Sequence, residues 1–281
     1  MNMHLDRTLG LRFPPLAIFY AKELPAEVRL SRPLCSMLLV ARAARGETMA
    51  LGRDSCLCHG AASGFGLEPM LSENFPGGPE CFLRFLSVGN QGWEHGESVI
   101  RRLREANAPK VLIEEFTEGE GFLKTPELVD EWLSTLPECR PEGPFVLIKP
   151  LRDIKPGEKP KVVAFLADPD QLSALVVLAN YARPGIDNVR IPFGPGCGCF
   201  GLLPFAESEK ENPRAVVGLT DISARLYLRK PLGRDILSFT VPFKLYEEME
   251  ANAPESFLTR FAWKTIHSSA ASQQAAIASW H

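Results

Sequence analysis

Long apolar runs are missing from this chain of 281 residues; the longest lie near 163–167 and 174–179. A helix that crosses a bilayer needs about 18 apolar residues, so no membrane span is expected. The opening MNMHLDRTLGLRFPPLAIFY lacks a basic start followed by an unbroken apolar stretch, and Arg12, Pro14 and Pro15 interrupt the only candidate. It does not read as a secretory leader, and a cytoplasmic location is expected. A positive excess is lacking too: 31 Lys and Arg against 34 Asp and Glu leave a net charge of −3. Proteins that bind nucleic acid through counterion release need a concentrated basic surface, so no nucleic-acid partner is expected. The sequence contains no G-x-S-x-G elbow and no GxxxxGK[ST] loop, which leaves a hydrolase triad and a phosphate loop without support. Internal repeats and clean linkers are absent as well.

What is present is an ordinary globular composition, 45% hydrophobic and 23% charged, with ample material for a core. Aromatic and β-branched runs predict strands at 16–21, 47–52, 82–89, 111–116, 145–151, 161–167, 188–193, 215–220 and 236–243. Helical spacing predicts helices at 4–11, 35–44, 96–108 and 125–136, the last capped by Thr125 with Pro126 in its first turn and Leu128, Val129, Trp132 and Leu136 as its buried stripe. Asp168 and Pro169 open another, and Asp221 to Arg225 begin one more. The segment from 242 to 266 is mostly helical with a break at Pro254, and the tail 265–281 either frays or forms a terminal helix. Strands alternating with helices give an α/β (mixed α+β) fold. The expected architecture is a single compact domain over 1–281, built of two interleaved parts with a mixed sheet and flanking helices.

The chain has seven cysteines, an odd number, and lacks export signals, so a disulfide framework is not expected. Four form two C-x-C units, Cys56-Leu57-Cys58 and Cys197-Gly198-Cys199, each set in a glycine-rich segment (54–67 and 194–205) expected to be a loop. Cys35 stands alone at a predicted helix start, where the helix end would favour its thiolate. Soft metal ions choose thiolates, and glycine lets backbone approach a cluster and offer N–H donors to its sulfides. Buried inert thiols are the competing reading, because free cysteine is among the most buried residue types. Cys81 reads as packing and Cys139 as incidental in a proline-rich loop. His59 is either a ligand beside Cys58 or a loop histidine. Asp221, Ser223 and Arg225 form either an anion site or, the simpler reading, a helix cap with a surface ion pair.

Several stretches resemble the domain-of-unknown-function family numbered 169. They are GLRFPPLAIFY (10–20), RPLCSMLLVARAARGE (32–47), CLCHGAASGFGL (56–67), PDQLSALVVLANYA (169–182), the cysteine loop 194–204, and VVGLTDISAR (216–225) with the strand that follows. In similar proteins one cysteine follows the first strand, one precedes an x-Gly-Ala step and one lies in the late loop. The resemblance thus implies roles for Cys35, Cys58 and either Cys197 or Cys199. Some relatives carry a further cysteine in the segment that is GLTDISAR here. This chain has none there, so a fourth ligand would come from Cys56, the other late cysteine, Asp221 or outside the protein.

The resulting expectation is a cytoplasmic iron–sulfur protein whose [4Fe–4S] cluster is held by Cys35, Cys58, Cys197 and either Cys56 or Cys199. Its work would be electron transfer or redox chemistry on a small molecule, with a redox partner or small-molecule ligand; whether it is an enzyme is left open. The alternatives are a small-ligand-binding module with buried structural cysteines and a structural zinc protein. Apolar strands without an exposed edge leave room for a homodimer.

Overall fold

The computed structural model describes residues 4–58, 60–69 and 75–268. The chain divides into two compact units, one formed by residues 1–67 with 139–281 and the other by 68–138. In chain order the first unit begins with α1 (His4–Leu9), β1 (Leu16–Ala21), α2 (Met37–Ala43), β2 (Met49–Gly52) and α3 (Gly60–Gly64). The second holds α4 (Pro79–Phe85), α5 (Glu94–Glu105), α6 (Lys110–Glu118) and α7 (Pro126–Ser134). The first then resumes with β3 (Phe145–Pro150), β4 (Val162–Ala167), α8 (Pro169–Asn180), β5 (Val189–Arg190), α9 (Gly196–Phe200) and α10 (Leu202–Ser208). It ends with β6 (Ala215–Gly218), α11 (Ile222–Leu232), β7 (Leu237–Pro242), α12 (Phe243–Asn252) and α13 (Phe261–Ile266). Among the described residues no helix is long and apolar enough to cross a membrane.

The seven strands form one mixed sheet in the order β2-β3-β1-β4-β7-β6-β5, antiparallel except where β5 joins β6. This is an α/β fold with helices on both faces. β1 lies inside the sheet, with Ile18 opposite Ile148 on one side and Val162 on the other. Because side chains alternate along a strand, each apolar strand feeds two cores. Leu16, Ile18, Ile148 and Leu166 meet α2, α3, α9, α10 and α11 on one face. Ala17, Phe19, Phe165 and Phe239 meet α1, α8, α12 and α13 on the other. Burying a side chain such as Phe165 contributes about 1.5–3 kcal/mol. At α8 the expected cap is a full capping box, Asp168 accepting from the Gln171 amide and Gln171 from that of Asp168.

The helical unit corrects two strand expectations. Residues 82–89 and 111–116 fall instead in and after α4 and within α6. Their apolar residues close a core of Phe75, Cys81, Phe82, Val99, Ile100 and Phe116. Short apolar runs fit either period, and here packing among neighbouring helices decides. Cys81 is fully buried, as its packing role requires. In α7 the Thr125 cap is present, but of the expected stripe only Val129 is buried and Leu128 is exposed, because four short helices share a core too small to cover more. The strand expected at 188–193 is limited to β5, and the two glycine–cysteine segments expected as loops contain α3, α9 and the start of α10. Beyond Pro254 the chain runs through short 3-10 turns into α13. The rest of the expected tail, 269–281, and His59 lie outside the described residues.

On α10 a wholly buried carboxylate, Glu207, accepts from Arg190 at 2.9 Å, Lys210 at 2.8 Å and Arg214 at 3.0 Å. Burial opposes its charge, yet the hydrogen bonds from Arg214, Lys210 and Arg190 win and hold its carboxyl down at about 2. A depressed carboxyl adds stability above its unfolded value and loses it as pH falls through the folded one. Glu207→Gln is therefore expected to cost about 2 kcal/mol in urea unfolding at pH 7. The deficit should shrink between about pH 5 and 2, where the native carboxylate protonates; a deficit that stays constant with pH would refute this account.

Candidate functional site

The site grows from a close contact between two five-residue helices. α3 is GAASG and α9 is GCGCF, both poor helix formers taken alone, but their small residues let two backbones meet. A β-carbon placed on Gly64 would lie 2.2 Å from the Cys197 sulfur, and one on Gly201 would lie 2.6 Å from the Gly64 carbonyl oxygen. The Cys197 thiol points along α3 toward the Gly60 carbonyl at 3.6 Å. Cys58, which is exposed, ends the segment before α3, and its carbonyl accepts from Ala61.

Segment 56–58 is in turn clasped to the chain before α2. The Leu57 amide donates to the Pro33 carbonyl at 2.9 Å, and the Cys56 thiol reaches the same oxygen at 3.4 Å. Cys35 lies just ahead of α2. The third side is tied by Asp221, whose carboxylate caps α11 through the Ala224 amide at 3.1 Å and also accepts from Gly196 in α9 at 2.8 Å.

The thiols sense one another. Burial pushes the Cys35 thiol well up, the neighbouring Cys58 adds to this, and Cys56 and Asp221 push the same way. The Met37 backbone N–H pulls it down, so the expected helix-end preference for a thiolate is present but loses to burial. Cys197 is pushed up by complete burial and then by Cys58, Cys35, Asp221 and Cys56. Cys56 is pushed up to about 11 by burial, against backbone N–H groups of Cys58 and Leu57. Four sulfurs from three distant stretches thus share one electrostatic neighbourhood.

Cys199 does not share it. Its side chain turns to the sheet, where a β-carbon on Gly218 would meet the Cys199 β-carbon at 2.3 Å and the Ser238 hydroxyl oxygen at 2.8 Å. Burial and then Asp221 push its thiol up to about 12, and none of the other cysteines contributes. The late C-x-C unit therefore offers one sulfur to the cluster of thiols. Among the described residues no three His, Cys, Asp or Glu side chains stand close enough to share a single metal ion. Tetrahedral zinc would need its sulfurs within about 4 Å of one another.

Two other expectations resolve differently. Asp221 is a helix cap, as the simpler reading had it, but among the described residues Arg225 forms no ion pair. It donates to the backbone carbonyls of Leu219, Arg234 and Ile236. Cys139 is not incidental: its sulfur lies 3.0 Å from the Tyr20 hydroxyl, beside the Phe65 and Gly66 carbonyls that close α3. No local pattern signals a pair 119 residues apart.

A sequence model of domain-of-unknown-function family 169, described as uncharacterised ArCR, matches residues 4–252, which include every cysteine of the chain. No curated protein and no solved structure matches.

Gly64→Ala is expected to destabilise the protein by about 1–3 kcal/mol in thermal or urea unfolding, since backbone and sulfur leave no room for a methyl group. The cost should be smaller in a Cys197→Ala background. Additive losses in that double-mutant cycle would show that the two positions do not press on each other.

Proposed function

The chain belongs to domain-of-unknown-function family 169, and we propose that it is a cytoplasmic iron–sulfur protein. Cys35, Cys58 and Cys197 hold a [4Fe–4S] cluster, with Cys56 as fourth ligand, and the protein works in electron transfer or in redox chemistry on a small molecule. The observation that carries this reading is the convergence of three distant segments: the Leu57 amide holds the chain of Cys56 and Cys58 to Pro33 near Cys35, and the Cys197 thiol reaches the Gly60 carbonyl beside Cys58. A thiolate at any one position raises the cost of a thiolate at the next, so holding all of them ionised requires cationic iron among them.

The residues divide the work. Cys197 and Cys35 supply buried sulfurs, and Cys58 supplies the exposed one, at the edge where electrons or a substrate would arrive. Gly64 keeps a β-carbon away from the Cys197 sulfur. When bound, the cluster supplies one-electron chemistry whose potential depends on burial and on hydrogen bonds to sulfur.

A second reading is favoured by the same S–H···O contacts: Cys56 and Cys197 are satisfied as neutral thiols, as a small-ligand module with structural cysteines would have them. Anaerobic purification from cells with cluster-assembly machinery separates the two. The iron–sulfur reading expects brown protein with iron and sulfide in comparable amounts. It expects Cys35→Ser, Cys58→Ser and Cys197→Ser each to lose most of the iron while Cys199→Ser retains it. Colourless, iron-free protein in which Cys58 alone reacts quickly with a thiol reagent would establish the module instead.

A further inference from the structure

We propose that the outward face of α11 is the docking surface for a small acidic electron-carrier protein. The proposal rests on the iron–sulfur reading and names the partner of that site. α11 starts at the site: its cap, Asp221, holds Gly196, the residue before Cys197. Ala224, Leu228 and Leu232 are buried, and the helix packs on α2. That orientation turns Ile222, Leu226, Arg229 and Lys230 outward, at i, i+4, i+7 and i+8. Ile222 is 69% exposed and Leu226 60%. One exposed leucine needs no explanation, but two in line with two cations make a face.

The charges indicate what covers it. α11 carries three cations and no carboxylate in a chain whose net charge is −3. Arg225 is used internally, on three backbone carbonyls. Among the described residues neither Arg229 nor Lys230 is in an ion pair, and both are exposed on the same face as Ile222 and Leu226. Unpaired cations at one end and apolar side chains at the end nearest the thiols suit a transient interface, in which charge steers the encounter and a small apolar contact seats it. A membrane fits less well, because two apolar residues form too narrow a face to lie in the acyl boundary.

The test titrates an acidic plant-type ferredoxin into the full-length, anaerobically prepared protein by calorimetry, with iron measured on the same sample. Binding is expected to weaken about tenfold or more as salt rises from about 0.02 to 0.2 M. Arg229→Glu with Lys230→Glu should weaken low-salt binding about tenfold and flatten the salt dependence. Ile222→Ser with Leu226→Ser should weaken binding and leave that dependence intact. Lys22→Glu with Lys264→Glu, the same charge change elsewhere, should have little effect. No binding, or equal losses in the two charge-reversed proteins, overturns the docking surface even if iron is present. So does binding, sensitive to the same charge reversals, to phosphatidylserine vesicles titrated in place of ferredoxin when ferredoxin itself does not bind, which would mark a membrane face. Iron-free protein that still binds ferredoxin through these residues supports the surface and overturns the cluster reading alone.

Discussion

At Gly64 the backbone of α3 touches the sulfur of Cys197, closer than any β-carbon would permit. The other placements in the site follow from that contact. It sets Cys197 against the start of α3, where the chain has just left Cys58 and Cys56. The bond from the Leu57 amide to the Pro33 carbonyl brings Cys35 to the same place. Asp221 then fixes α9 from the other side through Gly196, where a β-carbon would lie 2.7 Å from that of Ala224. Glycine and alanine are used here for close approach, and short helices with weak intrinsic propensity persist because tertiary contacts hold them.

The same crowding sets the electrostatics. Removing sulfurs from water disfavours thiolates, and each one formed disfavours its neighbours, so without metal the favoured state is a set of neutral thiols. The backbone anticipates that state by giving Cys56 and Cys197 carbonyl acceptors. Asp221 adds negative charge and pushes the thiols further up, so it works against the thiolate form instead of assisting it. Were iron to bind such a set of thiols, each ligand would first have to give up its proton, and affinity would rise with pH.

Much of the sheet is legible in the sequence, because strands buried on both faces appear as continuous apolar runs and β1, β3, β4 and β7 lie where those runs are. The N-caps and proline starts of α7 and α8 are equally local signals. The helices α4 and α6 are not legible as helices: phenylalanine-rich and β-branched runs suit either period, and only their neighbours settle which forms. Cys56, Cys58, Cys197 and Cys199 could be singled out by their glycine setting, and Cys35 by its place at a predicted helix start. The convergence of Cys35, Cys56, Cys58 and Cys197 could not be derived from these marks, because it depends on contacts such as Gly64 with Cys197, 133 positions apart along the sequence. Tyr20 and Cys139 had no local mark at all.

The two C-x-C units look alike on paper and differ in space for one geometric reason. In a strand or extended loop, residues i and i+2 point to the same side; in an α-helix they diverge by about 200°. Cys197 and Cys199 lie within α9, so one sulfur faces α3 and the other faces Gly218 of the sheet. Cys56 and Cys58 lie outside any helix, so both remain near Cys35 and Cys197. Whether a C-x-C unit turns one thiol or two to the same neighbourhood is thus decided by the secondary structure around it, and in this chain the early unit turns two and the late one turns one.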